Sequence, residues 1–195
     1  MKKIFFIFFI LAANNAFSQN ALITDTAYIY RSLSVALANA DYVTKLNLSR
    51  TKLKTIPSDI FKLKNLRELD LSHNKIDSIP AEIASLTQLE RLNLSNNNLA
   101  KLPDELGKLH KLTYIGLNRN IIEALPTTIG DLENLEVLEM WDNELYTIPD
   151  EISKLKKLKV LELRGILFSD EEAQRIYLLL PDAKVLMSPT CNCKY

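Results

Sequence analysis

The sequence predicts an α/β solenoid, in which short strands stack side by side and each is returned by a turn or a brief helix, on three grounds. The chain aligns on itself with a step of 23 residues, which places Val43, Leu66, Leu89, Leu112, Leu135 and Leu158 first in six units without an insertion. Apolar residues at the fourth and sixth positions, such as Leu46 and Leu48 or Leu161 and Leu163, alternate like one face of a half-buried strand. An aliphatic residue followed by proline then recurs at Ile56-Pro57, Ile79-Pro80, Leu102-Pro103, Leu125-Pro126 and Ile148-Pro149. There a fixed φ and a missing amide open the return segment. One unit alone cannot bury either apolar face, so neighbours must stack to make a continuous core.

The elements follow in chain order. Met1 to Lys3 is a short basic start, Ile4 to Ala13 is apolar, and Ala16-Phe17-Ser18 supplies small residues for cleavage, so residues 1–18 are expected to be a signal peptide. The apolar run falls short of the roughly 20 residues a spanning helix needs, so no stable membrane insertion is expected after cleavage. The expected address is exported, periplasmic or secreted. Residues 19–42 form a linker and a capping helix, in which Ser32 precedes Leu33, Ala36, Leu37 and Ala40 at helical spacing. Six units occupy 43–165.

The last unit loses its pattern. Ser169-Asp170-Glu171-Glu172 reads as a capping box before a helix that packs Ala173, Ile176, Tyr177 and Leu180, and Pro181 stops it. This C-terminal cap spans 166–186, and 187–195 is a tail carrying Cys191 and Cys193. Terminal units of a solenoid differ from the middle because an uncapped end exposes core.

The unit Leu-x-x-Leu-x-Leu-x-x-Asn-x-Leu-x-x-Leu-Pro-x-x-Ile-x-x-Leu-x-x resembles the leucine-rich repeat family in its 23-residue Leu-Pro variety. The resemblance implies a right-handed arc with a parallel sheet on the concave side and short helical turns or extended segments on the convex side. It also implies a protein-binding role. Ser32-Leu33-Ser34-Val35-Ala36-Leu37-Ala38-Asn39 and the C-terminal cap are similar to the ends of small exported bacterial members.

Asn74, Asn97, Asn120 and Asn143 stand ninth in their units, where the chain leaves the strand. Their amides can satisfy backbone groups that the turn leaves unpaired in adjacent units. Asn96, beside Asn97, is expected to face solvent and tolerate alanine.

Composition narrows the chemistry. The 24 Lys and Arg equal the 24 Asp and Glu, which argues against nucleic acid as a partner. The glycines Gly107, Gly116, Gly130 and Gly165 are too scattered to cradle a phosphate. Leucine fills 35 of 195 positions, and the repeat explains the excess. Cys191 and Cys193 are two apart and can close only a strained bridge, so an intermolecular link or a reducible pair competes with an internal disulfide. A metal would need two further ligands there, so neither metal nor cofactor is expected. His73 and His110 occupy different positions of different units and build no catalytic set. Residues 166–195 are too short for a catalytic appendage, and a non-catalytic binding module is expected.

Third and fifth positions face the concave solvent side, because side chains alternate across a strand. They are polar and alternate in sign through the first three units. From the fourth unit the face turns apolar and aromatic, with Tyr114, Val137, Val160 and the sole tryptophan, Trp141, beside Arg119, Glu139 and Arg164. Tyr, Trp and Arg dominate binding hot spots. This end is expected to hold a protein or peptide, with a glycan or cell-surface polysaccharide as the alternative.

Overall fold

The computed structural model describes residues 28–188. The expected signal peptide and the cysteines Cys191 and Cys193 therefore lie outside the described residues. Each unit contributes one short strand: β1 (Lys45–Asn47), β2 (Glu68–Asp70), β3 (Arg91–Asn93), β4 (Tyr114–Gly116), β5 (Val137–Glu139) and β6 (Val160–Leu163). All pair in parallel in sequence order, and Lys45 to Glu68 to Arg91 to Tyr114 to Val137 to Val160 is one continuous row. The 23-residue period is thus the pairing register itself. The middle residue of each three-residue strand is buried while its neighbours are mostly half-buried, as one-sided packing requires.

The proline of each unit sits extended just before a 3₁₀ turn: Ser58–Lys62, Ala81–Ser85, Asp104–Lys108, Thr127–Asp131 and Asp150–Lys154. Its carbonyl accepts the first bond of the turn, as from Ile60 N at 3.0 Å and Leu106 N at 3.1 Å. The turns point Ile60, Ile83, Leu106, Ile129 and Ile152 inward, all buried against the strand leucines in a single core. Each such side chain gains roughly 1.5–3 kcal/mol by leaving water.

The ninth-position asparagines close the strand-exit turns. Asn120 donates through Nδ2 to the carbonyls of Leu94 (3.1 Å) and Leu117 (2.9 Å), and its Oδ1 accepts from Leu99 N at 3.0 Å. Asn74, Asn97 and Asn143 bond the same way, each reaching a carbonyl of its own unit and one of the unit before it. In the first unit Thr51 stands in for asparagine. Its hydroxyl donates to the Leu48 carbonyl at 2.7 Å, and its N–H donates to Asn74 Oδ1.

Both ends carry more than the expected helical caps. At the front, α1 (Leu33–Leu37) buries Ala36, with Leu33 and Leu37 packed against the core, and Tyr30 bridges the free side of β1. Tyr30 N donates to the Lys45 carbonyl at 3.0 Å and Asn47 N to the Tyr30 carbonyl at 2.8 Å. At the back, α2 (Asp170–Leu179) leads into a seventh strand, β7 (Lys184–Met187), which crosses the boundary expected at residue 186. β7 pairs with β6 from Val160 to Lys184, a step of 24 residues, so it falls out of the period.

Two details of this cap differ from expectation. Tyr177 is 51% exposed, because the buried face of α2 is centred on Ala173 and Ile176 and one residue further round lies outside it. The capping box is half formed: Ser169 Oγ accepts from Glu172 N at 3.2 Å, but the Glu172 carboxylate turns away to the preceding unit.

Candidate functional site

The concave sheet carries two rows of solvent-side residues. In the third-position row Lys45 pairs with Glu68 at 2.9 Å. Arg91 has no carboxylate partner among the described residues, and its guanidinium lies 4.2 Å from the centre of the Tyr114 ring. Val137 and Val160 follow, half-buried.

The fifth-position row, expected only to face solvent, is a second polar ladder. Asn47, Asp70 and Asn93 each accept the backbone N–H two residues on, at Ser49 (3.0 Å), Ser72 (2.9 Å) and Ser95 (3.1 Å). Glu162 repeats the pattern with Arg164 N at 3.1 Å. The readable signal was a column of Asn, Asp and Glu interrupted once, by Gly116. That gap is filled by Tyr114, whose hydroxyl would lie 2.7 Å from a Cβ placed on Gly116 and donates to Glu139 Oε2 at 2.9 Å. Asn118 donates to the same oxygen, and its Oδ1 accepts Trp141 N at 3.1 Å, supplying the turn bond that Glu139, engaged by Tyr114 and Asn118, does not make.

The sequence-derived residues therefore divide by what they already hold. Tyr114 lies along the sheet instead of standing free. Burial, and then its hydrogen bond to Glu139, push its phenol above the usual range. Glu139 is occupied by Tyr114 and Asn118. Arg164 forks onto Glu162 through Nε (2.8 Å) and a terminal nitrogen (2.7 Å). Burial raises the Glu162 carboxyl, but the side-chain and backbone hydrogen bonds from Arg164 outweigh it, and the net shift is downward. Arg119 stacks over Trp141 at 4.5 Å and meets Asp142 at 3.6 Å. Val137 and Val160 remain half-buried, and Trp141 is half-buried with Arg119 over one face of its ring.

A hollow of about 270 Å³ spans β1 to β4, lined by Ile29, Lys45, Glu68, Asp70, Arg91 and Tyr114 among others. The polar end of the sheet is thus recessed, and Tyr114 with Arg91 joins it to the aromatic end. His73 is exposed on a turn, and His110 is exposed with Nδ1 3.1 Å from the Asp131 carbonyl. Among the described residues no group of His, Cys, Asp and Glu could hold a metal ion, and no helix is long and apolar enough to cross a membrane.

An open parallel sheet backed by stacked turns, with one face left to solvent, defines a solenoid scaffold whose surface is set unit by unit. Family comparison names it: residues 41–99 match the leucine rich repeat model and 102–170 the leucine-rich repeat region model, and the chain belongs to the leucine-rich repeat family. Among solved structures it is similar to a leucine-rich repeat protein of Leptospira interrogans (TM-score 0.69, 31% identity, 84% of this chain and 48% of that one). It shares its fold with an internalin of Listeria monocytogenes (0.66, 20%, 83% and 47%). It shares it also with the plant peptide hormone receptor RGFR1 in complex with RGF2 (0.64, 24%, 83% and 27%). The chain spans about half the length of the first two, and none of the curated proteins matches it significantly.

Proposed function

We propose that the chain is a non-catalytic binding module that holds a protein or peptide segment on its concave sheet, and that it is exported to the periplasm or beyond. Leucine-rich repeat proteins are generally interaction modules, and the receptor among its structural neighbours is in complex with RGF2. The observation that carries the reading is the concave hollow, walled by an Arg91 that is oriented on Tyr114 but unpaired with any carboxylate among the described residues. A planar guanidinium held by an aromatic ring is preorganised for a polar partner. Trp141, Val137 and Val160 continue the face with apolar area. A sugar would need open aromatic faces to stack on, whereas Arg91 and Arg119 already cover one face each of Tyr114 and Trp141. That occupancy favours protein over glycan.

Affinity capture followed by calorimetry tests the reading. Trp141→Ala and Arg91→Ala are each expected to weaken a captured protein partner by about 2 kcal/mol, and Lys101→Ala on the outer side by less than about 0.5 kcal/mol. Equal, small effects at all three positions would remove the concave face from the proposal. Binding to a glycan array that disappears with Trp141→Ala would replace protein with carbohydrate. For export, N-terminal sequencing should find a chain starting near Gln19, and a chain retaining Ile4 to Ala13 would refute it.

A further inference from the structure

We infer that the edge of the arc formed by the turns leaving the strands is a contact surface for a second copy of this chain, related by a two-fold axis running radially through the third unit. These turns stack in register. Eighth-position N–H groups donate to the following unit, as Arg50 does to the Ser72 carbonyl at 3.1 Å and Asp142 to that of Arg164 at 2.8 Å. Tenth-position N–H groups donate to the preceding unit, as Lys75 does to the Leu53 carbonyl at 2.7 Å and Glu144 to that of Ile122 at 3.0 Å. The eighth, tenth and twelfth positions therefore run as three rows along one edge, spaced about 4.8 Å per unit.

Charge is graded along these rows. The first unit presents Arg50, Lys52 and Lys54, all exposed and without a carboxylate partner among the described residues. Arg50 and Lys52 hold their places at φ 59° and 62°, in the left-handed region that favours asparagine or glycine, so these cations are kept at a conformational cost. The fifth unit presents Asp142, Glu144 and Tyr146 on these rows, and of these two acids only Asp142 meets a cation among the described residues, Arg119. Between them the third unit carries the short, neutral Asn96, Asn98 and Ala100. Apolar area lies on the same rows: Ile121 is 45% exposed, Tyr146 76% and Leu167 77%.

A surface positive at one end and negative at the other is self-complementary when turned over. A uniformly charged partner would be repelled at one end, whereas a second copy supplies the opposite gradient. The radial two-fold sets unit one across from unit five and the third unit against itself, with concave rim on concave rim. Arg50 then faces Asp142, Lys52 faces Glu144, and Lys54 lies against the Tyr146 ring, each contact occurring twice. Asp77 and Glu123 are like charges in facing places of the outer row, next to Lys54 and Lys75. The concave sheets of both copies stay open, so this association is independent of the binding proposal.

Sedimentation equilibrium of the purified protein, with reductant present so that the tail cysteines cannot link chains, tests it. A dimer mass is expected at concentrations up to about 200 µM, with a dissociation constant that rises about tenfold between roughly 0.05 and 0.5 M salt. Lys52→Glu and Glu144→Lys should each weaken the dimer by about tenfold or more, and the double variant should restore it. A one-to-one mixture of the two single variants should also dimerise, which covers the case of a double variant that folds poorly. A monomer throughout, a dimer insensitive to both single variants, or failure of both the double variant and the mixture to restore it would each overturn the inference.

Discussion

Asn97 joins two units through one side chain: Nδ2 donates to the Leu71 carbonyl at 3.0 Å and the Leu94 carbonyl at 2.9 Å, while Oδ1 accepts from Ile76 N at 3.0 Å. Leucine there would leave the Ile76 N–H without its acceptor and take one of two amide donors from each of the Leu71 and Leu94 carbonyls, which keep Asn74 and Asn120, so Asn97→Leu should cost about 1–3 kcal/mol in chemical denaturation. Its neighbours separate the role of the side chain from that of the backbone. Asn96 was expected to tolerate alanine, but it sits at φ 57°, so Asn96→Ala should cost about 1 kcal/mol and Asn96→Gly much less. Asn98→Ala, exposed and outside the left-handed region, should stay within about 0.5 kcal/mol. The same reasoning applies to His73, at φ 55°, where asparagine should be neutral or stabilising by about 0.5 kcal/mol. A stability ranking that puts Asn98 level with Asn97 would mean the exit turns are not held by the asparagines.

At the scale of elements, α2 is fastened to the fifth unit by a single cluster. Arg175 bonds the Ile148 carbonyl, Asp150, Thr147 Oγ1 and both carboxylate oxygens of Glu172, and Glu172 also accepts from Ile148 N at 3.0 Å. The Arg175 hydrogen bond leads in holding the Glu172 carboxyl down at about 2, against an ordinary value of 4.5, and outweighs the opposing effect of burial. A folded-state value below the unfolded one means the stabilisation is complete above about pH 4.5 and is lost as pH falls toward 2. Amide exchange in α2 should therefore accelerate across that window, and Glu172→Gln should exchange faster at pH 7 and flatten the pH response. An unchanged profile in Glu172→Gln would place the anchor of the cap elsewhere. This cluster was illegible in the sequence because its long-range pairings, such as Arg175 with Ile148, span 27 residues instead of the repeat step. β7 was missed for a related reason, its 24-residue offset from β6. The six strands and the asparagine turns were legible because the repeat is also their register. The hollow was not, since its depth depends on how far polar side chains such as Tyr114 lie down along the sheet.

On the scale of the whole arc, stability is a chain of nearest-neighbour interfaces, and the third, fourth and fifth units approach one another closely at glycines. A Cβ on Gly107 would lie 2.5 Å from the Thr128 carbonyl oxygen and 2.8 Å from the Thr128 Cβ, and one on Gly130 would collide likewise with the Glu151 carbonyl. The obstacles are backbone, so a methyl group cannot be accommodated by a rotamer change. The 3₁₀ turns Asp104–Lys108 and Thr127–Asp131 would have to separate, loosening the seating of Leu106 and Ile129 between them. Gly107→Ala is therefore expected to lose about 1–3 kcal/mol, the usual range for an overpacked core, even though alanine favours ordered structure over glycine. The damage should be local to one interface. Hydrogen exchange should rise in Asp104–Lys108 and Thr127–Asp131, with much smaller changes in Ser58–Lys62 and Asp150–Lys154. Ala84, one unit earlier in the same column, provides the control, since Ala84→Gly removes a methyl group that already fits and should cost about 1 kcal/mol without concentrating exchange at the third and fourth units. If Gly107→Ala instead raises stability, the outer turns have room to spare and the interfaces are governed by the strand side alone.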